Sequence, residues 1–191
     1  MPNYNDYIRL QSLPKTEVNK KAQWYNQTYK LFVNHSLNDM NDFWKIVSFA
    51  YSWMPTIPNI NIQQSKLNDD LEFWEMLNHL RNGQEMDRKA LLEKLVPNIN
   101  NSVVGTSKVL HFIAPDYVPI FDSKVLSNWN WFFKNTETPT FSKTLSASNQ
   151  IRIYFQYWKL MEVWKNNCKK VGKDVSLRAL EKGLFTLKIN T

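Results

Sequence analysis

The sequence predicts an all-α protein, a two-lobed helical bundle folded as a single domain over residues 1–191. Three observations predict it. Apolar residues recur at i, i+3, i+4 and i+7 along most of the chain, the period-two alternation of strands is nearly absent, and the Pro, Gly and Asn clusters fall between the periodic runs. With 191 residues and 43% hydrophobic content, the chain can bury a real core.

The first predicted helix runs from Glu17 to about Asn34, with Val18, Ala22, Tyr25, Tyr29 and Phe32 at helical spacing and Lys20, Lys21 and Lys30 on its charged face. A second covers about Asn41 to Trp53, where Phe43, Ile46, Val47, Ala50 and Tyr51 form the apolar stripe, and Pro55 and Pro58 end it. The Pro-, Asn- and Gln-rich segment Thr56 to Ser65 has no helical period and marks a candidate lobe boundary. A third helix, about Asp69 to Leu80, places Leu71, Trp74, Leu77 and His79 to Leu80 near its buried side, and Asn82-Gly83 supplies a left-handed stop. A fourth spans Asp87 to Val96 and stops before Pro97. Gly105 then leads into a short fifth helix, Thr106 to about Ile113, closed by Pro115. The sixth starts at Asp122 and holds Trp129, Trp131, Phe132 and Phe133. Trp129 and Trp131 are two apart on a helix, so at least one must point away from the local core. A long seventh helix spans about Ser146 to Cys168, and Ser176 caps the last, which runs to about Leu187.

A formal net charge of +7 and a pI near 9.4 favour an anionic partner, because each Lys or Arg set against a phosphate releases a counterion. A soluble protein that is merely rich in Lys and Asn has the same balance. Eleven Phe, eight Tyr and eight Trp supply burial and, where exposed, surfaces on which bases can stack. The lone Cys168 excludes an internal disulfide and an all-cysteine cluster, and His35, His79 and His111 lack ligand spacing. No metal, metal cluster or cofactor is therefore expected. No run approaches eighteen apolar residues and the N-terminus lacks a signal-peptide layout, so a soluble, cytoplasmic protein with no membrane partner is expected. A monomer is the default expectation, and no residue pattern fixes the oligomeric state.

Residues 105–125, GTSKVLHFIAPDYVPIFDSKV, hold the constellation that suggests chemistry. A glycine turn ahead of a short helix exposes unpaired backbone N–H groups that suit a phosphate oxygen. On this reading Gly105, Thr106 and Ser107 contact a phosphate backbone and Lys108 adds charge. The run Pro119-Ile120-Phe121 returns the chain so that Asp122 lies near the same mouth. Each residue also has a plainer reading: Asp122 as a helix N-cap, Gly105 as a turn glycine, Lys108 as a solvated helix residue, His111 as a hydrogen-bonded core histidine.

The glycine turn, the short helix and the Pro-Ile-x-Asp-x-x-Val run, here Pro119, Ile120, Asp122 and Val125, resemble the helix-hairpin-helix DNA glycosylases over about residues 87–133. The resemblance implies a helix-hairpin-helix unit within the bundle and double-stranded DNA as partner. It also implies that a modified or damaged base is flipped out and its glycosidic bond cut. A modified cytosine of phage DNA is one candidate, because some glycosylases that attack such DNA are of this size. By position Asp122 matches the catalytic aspartate, whose negative charge stabilises the cationic sugar, and a helix N-terminus favours that ionised form.

Family members with a lysine two residues beyond the hairpin glycine form a Schiff base and nick the strand. Here that place is Ser107, with Lys108 one residue further, so a gap-free count favours plain hydrolysis to an abasic site. Lys124 joins the implied DNA contacts. Trp129, Trp131, Phe132 and His111, with Trp44 and Trp53 from the other lobe, are the candidates for the base pocket. Where the family has a Leu-Pro-Gly-Val-Gly type of hairpin, this chain has Asn100-Asn101-Ser102-Val103-Val104-Gly105. Two further readings stand beside this one: a helix-hairpin-helix module that binds DNA without catalysis, and a helical protein-interaction domain.

Overall fold

Capped amphipathic helices account for nearly all regular structure in the computed structural model, which describes residues 1–16, 20–33, 35–142 and 146–189. In chain order these are α1 (Tyr4–Ser12), α2 (Lys20–Val33), α3 (Met40–Ser52), α4 (Leu71–Arg81) and α5 (Arg88–Asn98), followed by α6 (Val103–Ile113), α7 (Ser123–Phe132), α8 (Ala147–Lys170) and α9 (Leu177–Thr186). The all-α expectation holds. Among the described residues the one β pairing is an isolated bridge between Lys15 and Leu187. No helix among them is long and apolar enough to cross a membrane.

The caps explain most boundaries. Asp39, Asp70, Asp87, Ser102, Asp122, Ser146 and Ser176 each stand in extended backbone and accept a first-turn N–H. Gly83 follows α4 at φ 67°, as the Asn82-Gly83 stop predicts. Helix α5 passes through Pro97 instead of stopping before it, because the Ile99 N–H reaches Leu95 O and closes the ladder beyond the proline. Leu77 and Leu80 are buried as expected, whereas Leu71 is 80% exposed and Phe73 is buried in its place. Helix α1 was not anticipated. It is held by a reciprocal capping box between Asn3 and Asp6 and buries Leu10. The predicted start of the second helix at Glu17 and its end at Asn34 lie outside the described residues.

The helices sort into two packing groups that share one core. Helix α6 packs against α2, α3, α5 and α8, while α8 and α9 gather α1 and α7. Although first in sequence, α1 belongs to the group formed by the end of the chain. Two backbone bonds fix it there, Thr16 N–H to Thr186 O at 2.7 Å and Lys188 N–H to Pro14 O at 3.0 Å.

Candidate functional site

The turn into α6 is made by two asparagines. Asn100 (φ 55°) and Asn101 (φ 51°) occupy the left-handed region, where Asn is tolerated better than most residues with a side chain. Gly105 is not that turn. It lies in the first turn of α6, and its N–H is bonded to Ser102 Oγ at 3.0 Å. A Cβ at this position would stand 3.0 Å from Tyr51 Oη, so the glycine serves the close approach of α6 to α3.

After a turn over residues 115–117 the chain runs extended and buried from Val118 to Phe121 with no neighbouring strand among the described residues, and each carbonyl from Tyr117 to Ile120 receives a side-chain donor instead. Trp158 Nε1 donates to Tyr117 O (2.7 Å), His111 Nδ1 to Val118 O (2.5 Å), Tyr154 Oη to Pro119 O (3.1 Å) and Tyr157 Oη to Ile120 O (3.4 Å). Ser107 Oγ completes the series: it accepts the Phe121 N–H (3.0 Å), and its single proton is shared between Val104 O (2.8 Å) and Phe121 O (3.2 Å). This side-chain cradle fixes the residue that follows it.

Asp122 divides its two oxygens between two tasks. Oδ1 caps α7 by accepting the Lys124 N–H at 2.8 Å, and Oδ2 stands 3.9 Å from Lys108 Nζ. The capping and site readings therefore coexist. The Lys108 side chain is only 9% exposed. Burial pulls its amine below the usual lysine range, and the charges of Asp122 and Glu181 oppose that shift.

Lys108 and Asp122 open onto a pocket of about 450 Å³, within the range of small-molecule sites. Its apolar walls include Tyr25, Trp53, Ile120 and Phe185. A second charged pair, Arg178 and Glu181 of α9, lines it as well. Arg178 Nη1 contacts Glu181 Oε2, and its guanidinium lies 4.6 Å above the Tyr29 ring and 5.7 Å above Trp53. Glu181 is buried, which raises its carboxyl above the ordinary range against the pull of Arg178.

Of the residues selected from sequence, Lys108, Asp122 and Trp53 meet in this pocket. Lys124 is exposed, with its ammonium 4.8 Å over the Phe185 ring beside the mouth. The others need correction. Thr106 and Ser107 are fully buried, so their hydroxyls cannot reach a phosphate, and that of Ser107 is spent on Phe121. Trp129 is fully buried among Phe133, Tyr157 and Trp164, and Phe132 stacks on Trp164 beneath Arg9. Trp131 is exposed, and Trp44 is a core residue whose indole donates to Asn68; neither lines the pocket.

His111 is fully buried, and since Val118 O can only accept, Nδ1 carries the proton and Nε2 accepts from Tyr29 Oη at 2.9 Å. Burial, with Arg178 nearby, lowers its pKa to about 3, so it is a neutral structural imidazole. Sequence reasoning missed Arg178, Glu181, Tyr25 and Phe185. One signal was available: Glu181 interrupts the apolar stripe Leu177, Leu180, Leu184, where an unpaired carboxylate has no place.

No protein-family model matches the chain, and no match was found among curated proteins or solved structures.

Proposed function

We propose that the chain binds duplex DNA and excises a modified or damaged base, cutting its glycosidic bond in the pocket between α6, α7 and α9. The observation that carries this reading is the Lys108–Asp122 pair, 3.9 Å apart and opening onto one pocket with aromatic walls. Departure of a nucleobase leaves positive charge on the sugar, and a carboxylate fixed beside it stabilises that charge and orients water. Asp122 Oδ2, 3.9 Å from Lys108 Nζ, is not needed by the cap, which Oδ1 alone serves. Tyr25, Trp53 and Phe185 offer apolar surface to an extruded base. The left-handed Asn100-Asn101 turn between α5 and α6 supports the helix-hairpin-helix reading, taking the place of the glycines usual in such hairpins.

Incubation with duplexes bearing normal, damaged and phage-modified bases, scored as alkali-labile sites, tests the proposal. Asp122→Asn is expected to lower the rate on the order of a hundredfold or more, and unchanged turnover would remove Asp122 from the mechanism. DNA binding with a steep salt slope but no abasic product would instead identify a non-catalytic module.

Hydrolysis by Asp122 and water is the first form of this chemistry. One observation favours a second: Ser107 is turned onto Phe121 while Lys108, with its amine shifted toward the neutral form, lines the pocket. A neutral amine there can attack the sugar C1′ as the glycosidic bond breaks, the base leaving with the bonding electron pair and gaining a proton; the sugar ring then opens to a Schiff base, which eliminates the 3′ phosphate and so cuts the strand. Borohydride trapping separates the two, since an adduct lost in Lys108→Gln requires the amine route.

A further inference from the structure

Arg178 and Glu181 stand in the pocket with no part in the chemistry of Asp122 and Lys108. Glu181 is 3% exposed, and its Oε2 is held by Arg178. Among the described residues Oε1 receives no hydrogen bond, although the residue lines the cavity. Oε1 is not among the fully buried side-chain atoms, so it keeps accessible surface in a residue that lines the cavity, and the donor it lacks is one that a ligand can bring. Arg178 contacts only the other oxygen, Oε2. Its guanidinium is held over Tyr29 and Trp53, with more N–H donors than the single contact to Glu181 uses.

We infer that Glu181 and Arg178 read the hydrogen-bonding edge of the extruded base and select one that carries an exocyclic amino group, as cytosine- and adenine-type bases do. This rests on the base-excision reading. The amino N–H meets Glu181 Oε1, and the adjacent ring nitrogen accepts from Arg178, a donor and acceptor side by side on one edge. A uracil- or thymine-type edge places its single N–H between two carbonyls. A carboxylate meeting that N–H faces an oxygen on both sides, and Arg178 can answer on only one. Glu181 is thus a specificity residue, distinct from Asp122, which faces the sugar.

The test uses the full chain carrying Asp122→Asn, in which turnover is slowed so that binding can be read, and two duplexes identical except for an unpaired cytosine or uracil. The cytosine duplex is expected to bind about tenfold tighter or more, and adding Glu181→Gln, whose amide both donates and accepts, is expected to erase that ratio. Equal affinities in the Asp122→Asn protein overturn the inference whether or not the Glu181 variant folds, and so does a ratio unchanged by Glu181→Gln. Product formation by the unsubstituted protein is scored on amino- and keto-bearing bases in parallel. Excision without an amino preference defeats this inference alone. An amino preference in binding with no product from any duplex defeats base excision and leaves the edge-reading pair standing.

Discussion

Two residues at the site make opposite kinds of prediction. Lys108 is a desolvated cation whose partner Asp122 is 24% exposed and engaged in a cap, so the lysine serves stability poorly. Lys108→Met is expected to raise Tm by about 2–4 °C while reducing excision, the trade-off typical of a residue kept for function, and calorimetry beside the alkali-cleavage assay checks both. His111 is the reverse, a structural residue that makes the fold acid-sensitive. Its folded pKa of about 3 lies below the unfolded value near 6.5. Its contribution is complete above pH 6.5 and is lost as pH falls toward 3, by up to about 1.4 kcal/mol for each pH unit. His111→Asn retains a donor for Val118 O but abandons Tyr29. It is expected to be less stable than the parent at pH 7 and to lose less on going to pH 4, as urea titrations at the two pH values will measure. Glu181 acts in the other sense, because its raised pKa means that stability present below the ordinary carboxylate range is lost as pH rises through the folded value.

At the scale of elements, periodicity and capping made most helices legible. Seven cap positions are Asp or Ser, and the long stripe of α8 is plain in the sequence. Helix α1 escaped because it is short and presents mainly Leu10 to the core. The start of α6 escaped because Gly105 looked like a turn, whereas the turn is Asn100-Asn101 and the glycine is a contact point for Tyr51. Asp122 and Lys108 could be found from spacing within one segment. Glu181 and Arg178 could not, since only tertiary packing brings α9 to the same cavity. Two element-level substitutions test this account. Asn101→Ala is expected to cost about 1–2 kcal/mol for forcing a left-handed conformation on a residue without local side-chain hydrogen bonding, and Asn101→Gly considerably less. Tyr154→Phe leaves Pro119 O without its donor and is expected to cost about 1–3 kcal/mol in chemical unfolding.

For the whole molecule, the net charge of +7 predicts DNA affinity that falls linearly in log–log form with salt. Lys124, exposed beside the pocket mouth, is expected to contribute one phosphate contact. Lys124→Gln should therefore weaken binding to all sequences alike and lower the salt slope by about one, as fluorescence anisotropy over a salt series will measure. A slope near zero would favour a protein-interaction domain. The wall formed by α9 carries one more consequence, which concerns synthesis. Because Glu181 follows Lys108 and Asp122 by several helices, a nascent polypeptide can hold the aspartate and lysine before it has the opposite side of the cavity. On the base-excision reading, selection among nucleobases would begin only after translation has passed this helix, so an unfinished chain beside nucleic acid would carry no working selector.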